Sequence, residues 1–438
     1  MLSVGLALAV AWAAGAGVVA ACWNRRAPLP VLAWSALAGL VGPFAVGSAL
    51  MTTGALGVPE RVSVPLITLC AAAAFAAGVR RRRQVLPRST GTPVIVILAL
   101  VTAIGWSGWV ASRTHLGWDG TVVWYHKARI LAASEGAMPS ATLADQTRAW
   151  SAPDYPLHVP LAMAWARLWQ PIEDERAIKA VPAAWCAAIL LLVAAAVLER
   201  SGSPTRAVCA VLVVASAPRL LIGEGSFTSG YADGPLAGLL AGLVWVVWRS
   251  DHAATRAWQP LLAILALALA WTKQEGAMAV VVTGAACVWR GGALSRMSFA
   301  WPALVAAGAW QAWTAAQGAP THMAYEWPGV RQAIGRVGPI VSAYAAMFVD
   351  VRTWGLLWPG LGALLVTQRR RLTSSPAAIV AVTAGISAIA FVWSDWPDVR
   401  AHLAVTVPRL GIGLVPALVV LALGADDTRA ATLRQPQE

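Results

Sequence analysis

Long apolar runs, separated by short polar or arginine-bearing turns, recur along almost the whole chain. They lie near 2–22, 29–51, 62–79, 93–111, 178–198, 207–222, 232–248, 259–272, 277–289, 298–316, 354–367, 376–393 and 404–424. Most approach the roughly 17–25 residues that an α-helix needs to cross a bilayer. The stretch 259–289 is apolar except for "TKQEG", which predicts two short helices meeting at that break. The expected fold class is all-α, a polytopic transmembrane helical protein with about 13 spans. A transmembrane β-barrel would show alternating segments of about ten residues instead, so that class is excluded.

Composition changes the picture little. Of the 438 residues 58% are hydrophobic and 12% charged, with a mean hydropathy of +0.64. A soluble chain would carry roughly a quarter charged residues. The net charge of +13 and pI near 10.5 would suit a nucleic-acid binder, but the arginines cluster between apolar runs. The groups are Arg25 with Arg26, Arg80–Arg83 with Arg88, Arg200 with Arg206, Arg249 with Arg256, Arg290 with Arg296, and Arg369–Arg371. With the spans above, all these groups and the C-terminal tail share one face, which the positive-inside rule makes cytoplasmic.

That agreement requires 155–170, "YPLHVPLAMAWARLWQ", not to cross; short and carrying two prolines, it is expected as an interfacial helix. Residues 112–177 then form a long outer loop, as do 223–231, 272–276, 317–353 and 394–403. Most acidic residues fall there, among them Asp119, Asp154, Glu224, Asp233, Glu275, Asp395 and Asp398. A plain anchor gains nothing from gathering carboxylates on one face. An outward-facing site does.

The cysteines (Cys22, Cys70, Cys186, Cys209, Cys287) sit in or beside apolar runs without a CxxC pair, so they read as small core residues. "VAAC" ending at Cys22 resembles a lipoprotein cleavage box, but "MLSV" before the apolar run has no basic residue. An uncleaved first span is expected.

The outer elements carry the candidate chemistry: "GWDGTVVWYHKARI", "SAPDYPLHVPLAMAW", "SFTSGYADGPLAG", "WTKQEG" and "RAHLAVTVPRLGIGLVPAL". Each places polar residues at the outer end of a span, so all can line one cavity. Asp119 can act as a general base or cap the helix beginning at Gly120; the two roles are compatible. Lys127 follows eight residues on, about two helical turns, on nearly the face of Asp119 and close to Trp124. It can bind phosphate, hold Asp119 ionised, or simply snorkel.

Asp154 and His158, spaced i, i+4, can meet an acceptor or metal, against the plainer reading of a solvated loop carboxylate. Asp233 opens a span, as a ligand or as a cap. Lys273 and Glu275 interrupt an apolar run, where charge is costly and usually functional. Arg409 lies inside the last expected span, with His402 just before it. A buried arginine needs an anion, either a lipid-linked phosphate or Asp395 or Asp398. Trp118, Trp124 and Trp150 are sugar-stacking candidates, and most of the 24 tryptophans suit interfacial belts. No dense carboxylate–histidine cluster marks a metal site, so no metal ligands are assigned and a divalent ion stays open.

The order of these motifs resembles the GT-C superfamily of membrane glycosyltransferases, in its bacterial branch related to protein O-mannosyltransferases and aminoarabinose transferases. The resemblance rests on several features in one order: an acidic residue near the start of a large first outer loop, then a proline-containing juxtamembrane helix. An Asp heads a later span, a "TK" pair marks an outer turn, and an Arg precedes a final "P-x-L" span. It covers about 93–424, and leaves 1–92 as extra N-terminal helices and 425–438 as a cytoplasmic tail. Asp119 is followed by Gly120, where the family often has a second acid. The resemblance implies transfer of a sugar from a polyprenyl-phosphate donor to an envelope glycan, lipid or protein, with Asp119 as base. It places the protein in the plasma membrane, multi-pass, with an extracytoplasmic site and no nucleic-acid partner. A transporter or flippase of a lipid-linked saccharide is the alternative, and a non-enzymatic membrane assembly partner is the third reading. No internal repeat favours the transporter.

Overall fold

The computed structural model describes residues 2–23, 27, 30–85, 92–170, 174–251, 255–291, 294–321, 329–367, 375–393 and 398–424. Arg25, Arg26, Arg88, Arg369–Arg371, Asp395 and the expected tail 425–438 lie outside the described residues.

Among the described residues all regular structure is helical. The N-terminal helices are α1 (Leu2–Cys22), α2 (Val31–Ala55), α3 (Glu60–Val85) and α4 (Val94–Arg113). After a π-helical turn, Gly120–Tyr125, come α5 (His126–Ala133) and α6 (His158–Leu168). The next are α7 (Ala180–Ser201), α8 (Pro204–Ser216), α9 (Asp233–Asp251), α10 (Gln259–Ala270) and α11 (Gln274–Gly291). The chain continues with α12 (Ala300–Ala316), α13 (Val330–Val349), α14 (Leu357–Thr367), α15 (Ser375–Ala390) and α16 (Val399–Leu423).

Every expected apolar run holds a helix, and the "TKQEG" break separates α10 from α11 as expected. Among the described residues six helical stretches, Leu2–Cys22, Val31–Ala55, Glu60–Arg81, Val94–Arg113, Glu175–Ser201 and Val399–Leu423, are long and apolar enough to cross a membrane. The others are shorter or less apolar. The 11 residues of α14 rise only about 17 Å, against a hydrocarbon core near 30 Å.

Two expectations need correction. The stretch 317–353, read as a loop, contains the 20-residue helix α13. Its apolar residues fall at helical spacing among Arg331, Arg336 and Pro339 rather than in one run. The helix within 155–170, expected to lie along a membrane surface, is instead enclosed by the protein. Residues His158–Ala166 of α6 are all buried, packed between α2 and α5, and Trp165 Nε1 donates to the Ala7 carbonyl at 3.0 Å.

The first helices belong to the same core as the rest. A Cβ at Gly15 would strike the Ala38 carbonyl and one at Gly42 the Ala11 carbonyl, so the α1 and α2 backbones touch. Gly39 of α2 abuts Ala188 of α7, and Gly238 of α9 abuts Leu40 and Ile189. Helix α9 thus wedges between α2 and α7, with α16 packed on its other side. At the far end of α9, Arg249 pairs with Glu199 Oε1 at 2.6 Å. Its guanidinium sits 4.8, 5.4 and 4.8 Å from the rings of Trp23, Trp245 and Trp258. One supposed topology marker is therefore a packed strut.

Candidate functional site

The chain leaving α4 is pinned onto the turn that precedes α9. Gly117 N donates to the Ser229 carbonyl at 2.8 Å, and Trp118 N donates to both Glu224 oxygens at 3.1 and 3.2 Å. Asp119 N donates to the Tyr231 hydroxyl at 3.0 Å. A Cβ at Gly117 would collide with the Tyr231 ring and the Glu224 carboxylate, so only glycine allows this approach. Asp119 makes no side-chain cap hydrogen bond. Its carboxylate is directed elsewhere.

Asp119 Oδ2 lies 2.9 Å from Arg409 Nη1, and Arg409 Nε lies 3.0 Å from Asp233 Oδ2. Asp233 Oδ1 in turn meets Lys273 Nζ at 3.2 Å, and Lys273 Nζ meets Glu275 Oε1 at 2.9 Å. The result is an alternating chain, Asp119–Arg409–Asp233–Lys273–Glu275, drawn from four separate parts of the sequence. Tyr231 lies under Arg409, 4.7 Å from the guanidinium carbon to the ring centroid. Asp233 occupies the first turn of α9, where the helix dipole favours a carboxylate.

Exposure along the network decides which members can meet a ligand. The side chains of Asp233, Lys273 and Arg409 are 4%, 7% and 14% exposed, while the terminal Asp119 and Glu275 are 27% and 31% exposed. The middle is sealed and the two ends are open. The network joins two cations to three carboxylates, a formal charge of −1.

Lys127 is not part of the network. Its Nζ donates to the Ala152 carbonyl at 2.7 Å and lies 5.2 and 5.8 Å from the Trp124 and Tyr155 rings. Burial pulls its pKa down to about 7, against an upward pull from Asp154. Ala152 has a left-handed φ of 48°, so the lysine braces a strained bend. The reading that put Lys127 on the face of Asp119 assumed α-helical turns, whereas Gly120–Tyr125 winds as a wider π-helix. Trp124 is also buried, at 1% exposure, and can offer no sugar platform. Trp118 and Trp150 are exposed.

Asp154 and His158 are buried as well, which corrects the picture of a solvated loop carboxylate. Asp154 Oδ2 accepts from Gln274 Nε2 at 3.3 Å, and its carbonyl accepts from Trp310 Nε1 and Gln311 Nε2. His158 Nδ1 lies 2.7 Å from Thr272 Oγ1, whose own proton goes to the Ala268 carbonyl. His158 therefore donates from Nδ1, and burial pulls its pKa down to about 3, leaving the ring neutral. The pair grips the Thr272–Gln274 link from both sides of Lys273. Among the described residues Asp154 Oδ1 and His158 Nε2 remain buried without a hydrogen-bond partner.

His402 stands edge-on to Phe391 at 5.1 Å and, with Tyr155, Gln274, Glu275 and Thr406, lines a cavity of about 310 Å³. On another face of α16 a cavity of about 970 Å³ is lined by Arg219, Asp350, Arg400 and Trp354. Tyr231, Gln274 and Arg219 were not singled out from sequence, and Glu224 only as one of the outer carboxylates. Arg219 carried a signal, since "APRLL" puts an arginine at the end of a run opposite the basic clusters. Among the described residues no three His, Cys, Asp or Glu side chains gather as metal ligands would. No protein-family model, curated protein or solved structure matches the chain.

Proposed function

We propose that this chain is a GT-C-type glycosyltransferase that moves a sugar from a polyprenyl-phosphate donor to an envelope glycan, lipid or protein. In this reading the chain crosses the plasma membrane about 13 times, the shorter helices included, and the site faces the extracytoplasmic side. The observation that carries the reading is the half-open Asp119 at one end of an ionic chain whose middle is sealed. Asp119 takes the proton of an acceptor hydroxyl, whose oxygen attacks the sugar carbon bearing the phosphate. The carbon–oxygen bond to the phosphate breaks, and the carrier leaves with the electron pair as its phosphate. Arg409 orients the base, Trp118 offers the exposed ring for a sugar, and Glu275 with His402 faces the smaller cavity beside them.

The test is Asp119→Asn, which keeps an oxygen for Arg409 but cannot take a proton. Transfer from a polyprenyl-phosphate sugar in membranes should fall about a hundredfold or more while donor binding persists. One observation favours a transporter or flippase of a lipid-linked saccharide: Asp119 is already engaged by Arg409. Unimpaired transfer by Asp119→Asn would remove the enzyme reading.

A further inference from the structure

We infer that Glu224 and Tyr231 are positioning residues that cap the helix of Asp119 from outside it, and so free the Asp119 carboxylate for the open end of the ionic chain. The inference deepens the transferase reading by naming what aims its base. It starts from an accounting of hydrogen bonds. The chain is helical from Trp118, and the first N–H groups of a helix have no partner within it. An Asp at such a start ordinarily supplies a missing acceptor itself. Asp119 does not: its side chain caps nothing, and its Oδ2 meets Arg409 Nη1 at 2.9 Å.

The turn before α9 supplies the acceptors instead. Three successive N–H groups, of Gly117, Trp118 and Asp119, donate to the Ser229 carbonyl, the Glu224 carboxylate and the Tyr231 hydroxyl. Thr121 N is already served within the helix by the Gly117 carbonyl, at 2.9 Å. A Cβ at Gly120 would strike the Ser229 carbonyl, so the helix start lies directly on the turn. Arg219 is within electrostatic range of Glu224 and offsets the charge of that carboxylate.

Tyr231 acts on both sides of the base. Its hydroxyl holds the Asp119 backbone and its ring lies under the Arg409 guanidinium, so one buried side chain sets both partners of the Asp119–Arg409 pair. The same turn carries Gly225, at φ +79°, where a Cβ would come within 2.8 Å of Arg409 Cγ and 3.2 Å of Asp233 Oδ2. The turn is thus fitted to base and arginine together. Without its acceptors the helix would begin later, and Asp119 would turn back as its own cap and leave Arg409.

The experiment uses the full-length protein in phosphatidylcholine nanodiscs and has a readout apart from turnover. Phenylglyoxal modifies guanidinium groups, and peptide mass spectrometry gives its rate at Arg409. Asp119→Ala uncovers Nη1 and should react several-fold faster than wild type. Tyr231→Phe keeps the ring under Arg409 and loses only the acceptor; it should react at that fast rate. Glu224→Ala should do the same, and because Glu224 is exposed it keeps the test valid if Tyr231→Phe misfolds. Glu224→Gln retains an acceptor oxygen and should restore most of what Glu224→Ala loses. Arg113, exposed at the end of α4, should react alike in every variant. Wild-type rates at Arg409 in Tyr231→Phe and Glu224→Ala overturn the inference, and so does an equal change at Arg113, which would show general loosening.

In transfer, Tyr231→Phe should lower kcat about ten- to a hundredfold at an unchanged KM, the cost of a misplaced base. In an Asp119→Asn background it should cost nothing further, because it acts through that carboxylate. A further loss there overturns the inference. A protein that transfers nothing in any form refutes the transferase reading alone, and the rates at Arg409 still decide this one.

Discussion

Arg409 Nε lies 3.0 Å from Asp233 Oδ2 across 176 residues of sequence, and the same guanidinium reaches Asp119 with Nη1. One buried cation thus holds two carboxylates from different elements in register. Removing it leaves Asp233 with Lys273 alone in a poorly hydrated place, a defect that typically costs roughly 3–5 kcal/mol. Arg409→Ala should therefore lower unfolding stability in detergent by about that much. Arg409→Lys should fall between, because a point charge cannot serve both partners as a fork does. Adding Asp233→Asn to Arg409→Ala should cost less than the two changes summed, since the partners are coupled. An Arg409→Ala protein as stable as wild type would dissolve the network as a structural unit.

The tryptophans of the first loop should separate into two behaviours. Trp118 is 71% exposed beside Asp119, whereas Trp124 is 1% exposed under Lys127. Trp124→Ala should cost about 3–5 kcal/mol of stability, as large core truncations do. Trp118→Ala should change stability by no more than ~0.5 kcal/mol yet raise the KM for a sugar donor. Unfolding curves and a transfer assay on the same preparations decide it. Equal stability losses in both would show that Trp118 packs rather than serves a ligand.

What could be read from sequence was mostly what membranes make expensive. Asp119, Asp233, Lys273, Glu275 and Arg409 stand out because charge beside apolar runs needs a reason, and the structure does join them. Which charge meets which was not legible, because 176 residues separate Asp233 from its arginine and no local spacing encodes that. Lys127 was misplaced through an assumed turn length that the π-helix breaks. Asp154 had a solvated loop position as its plainer reading, yet it and His158 are buried, and nothing local in "PDYPLH" encodes the packing that covers them. Helix α13 was hidden because its apolar residues are periodic rather than continuous.

The two ends of the bundle should face opposite compartments. Ser140, exposed in the segment 112–177, and Thr205, exposed in the first turn of α8, mark those ends. In a background with the five cysteines replaced, Ser140→Cys should react with an impermeant maleimide in intact cells. Thr205→Cys should react only after the membrane is opened. Equal labelling of the two would contradict the orientation read from the arginine clusters, and with it the outward placement of Asp119.

His158 supplies a pH signature that a solvated histidine would lack. Its imidazole is held neutral by burial, with a folded pKa near 3 against an ordinary 6.5. Between those values the unfolded chain takes up a proton that the folded chain refuses, so the stability contribution is intact above about pH 6.5 and is lost as the pH falls toward 3. Other groups contribute to the acid slope, so the wild type alone is not diagnostic. His158→Asn removes the titrating ring but keeps a donor near Nδ1 for Thr272 Oγ1. The variant should be less stable than wild type near neutrality, because it loses edge-on packing on Phe44 and Trp185. Its unfolding temperature should nevertheless fall less than that of wild type between about pH 6.5 and 4.5. Parallel acid losses in the two proteins would mean that His158 is hydrated and charged in the fold, and the grip on the Thr272–Gln274 link would then rest on Asp154 alone.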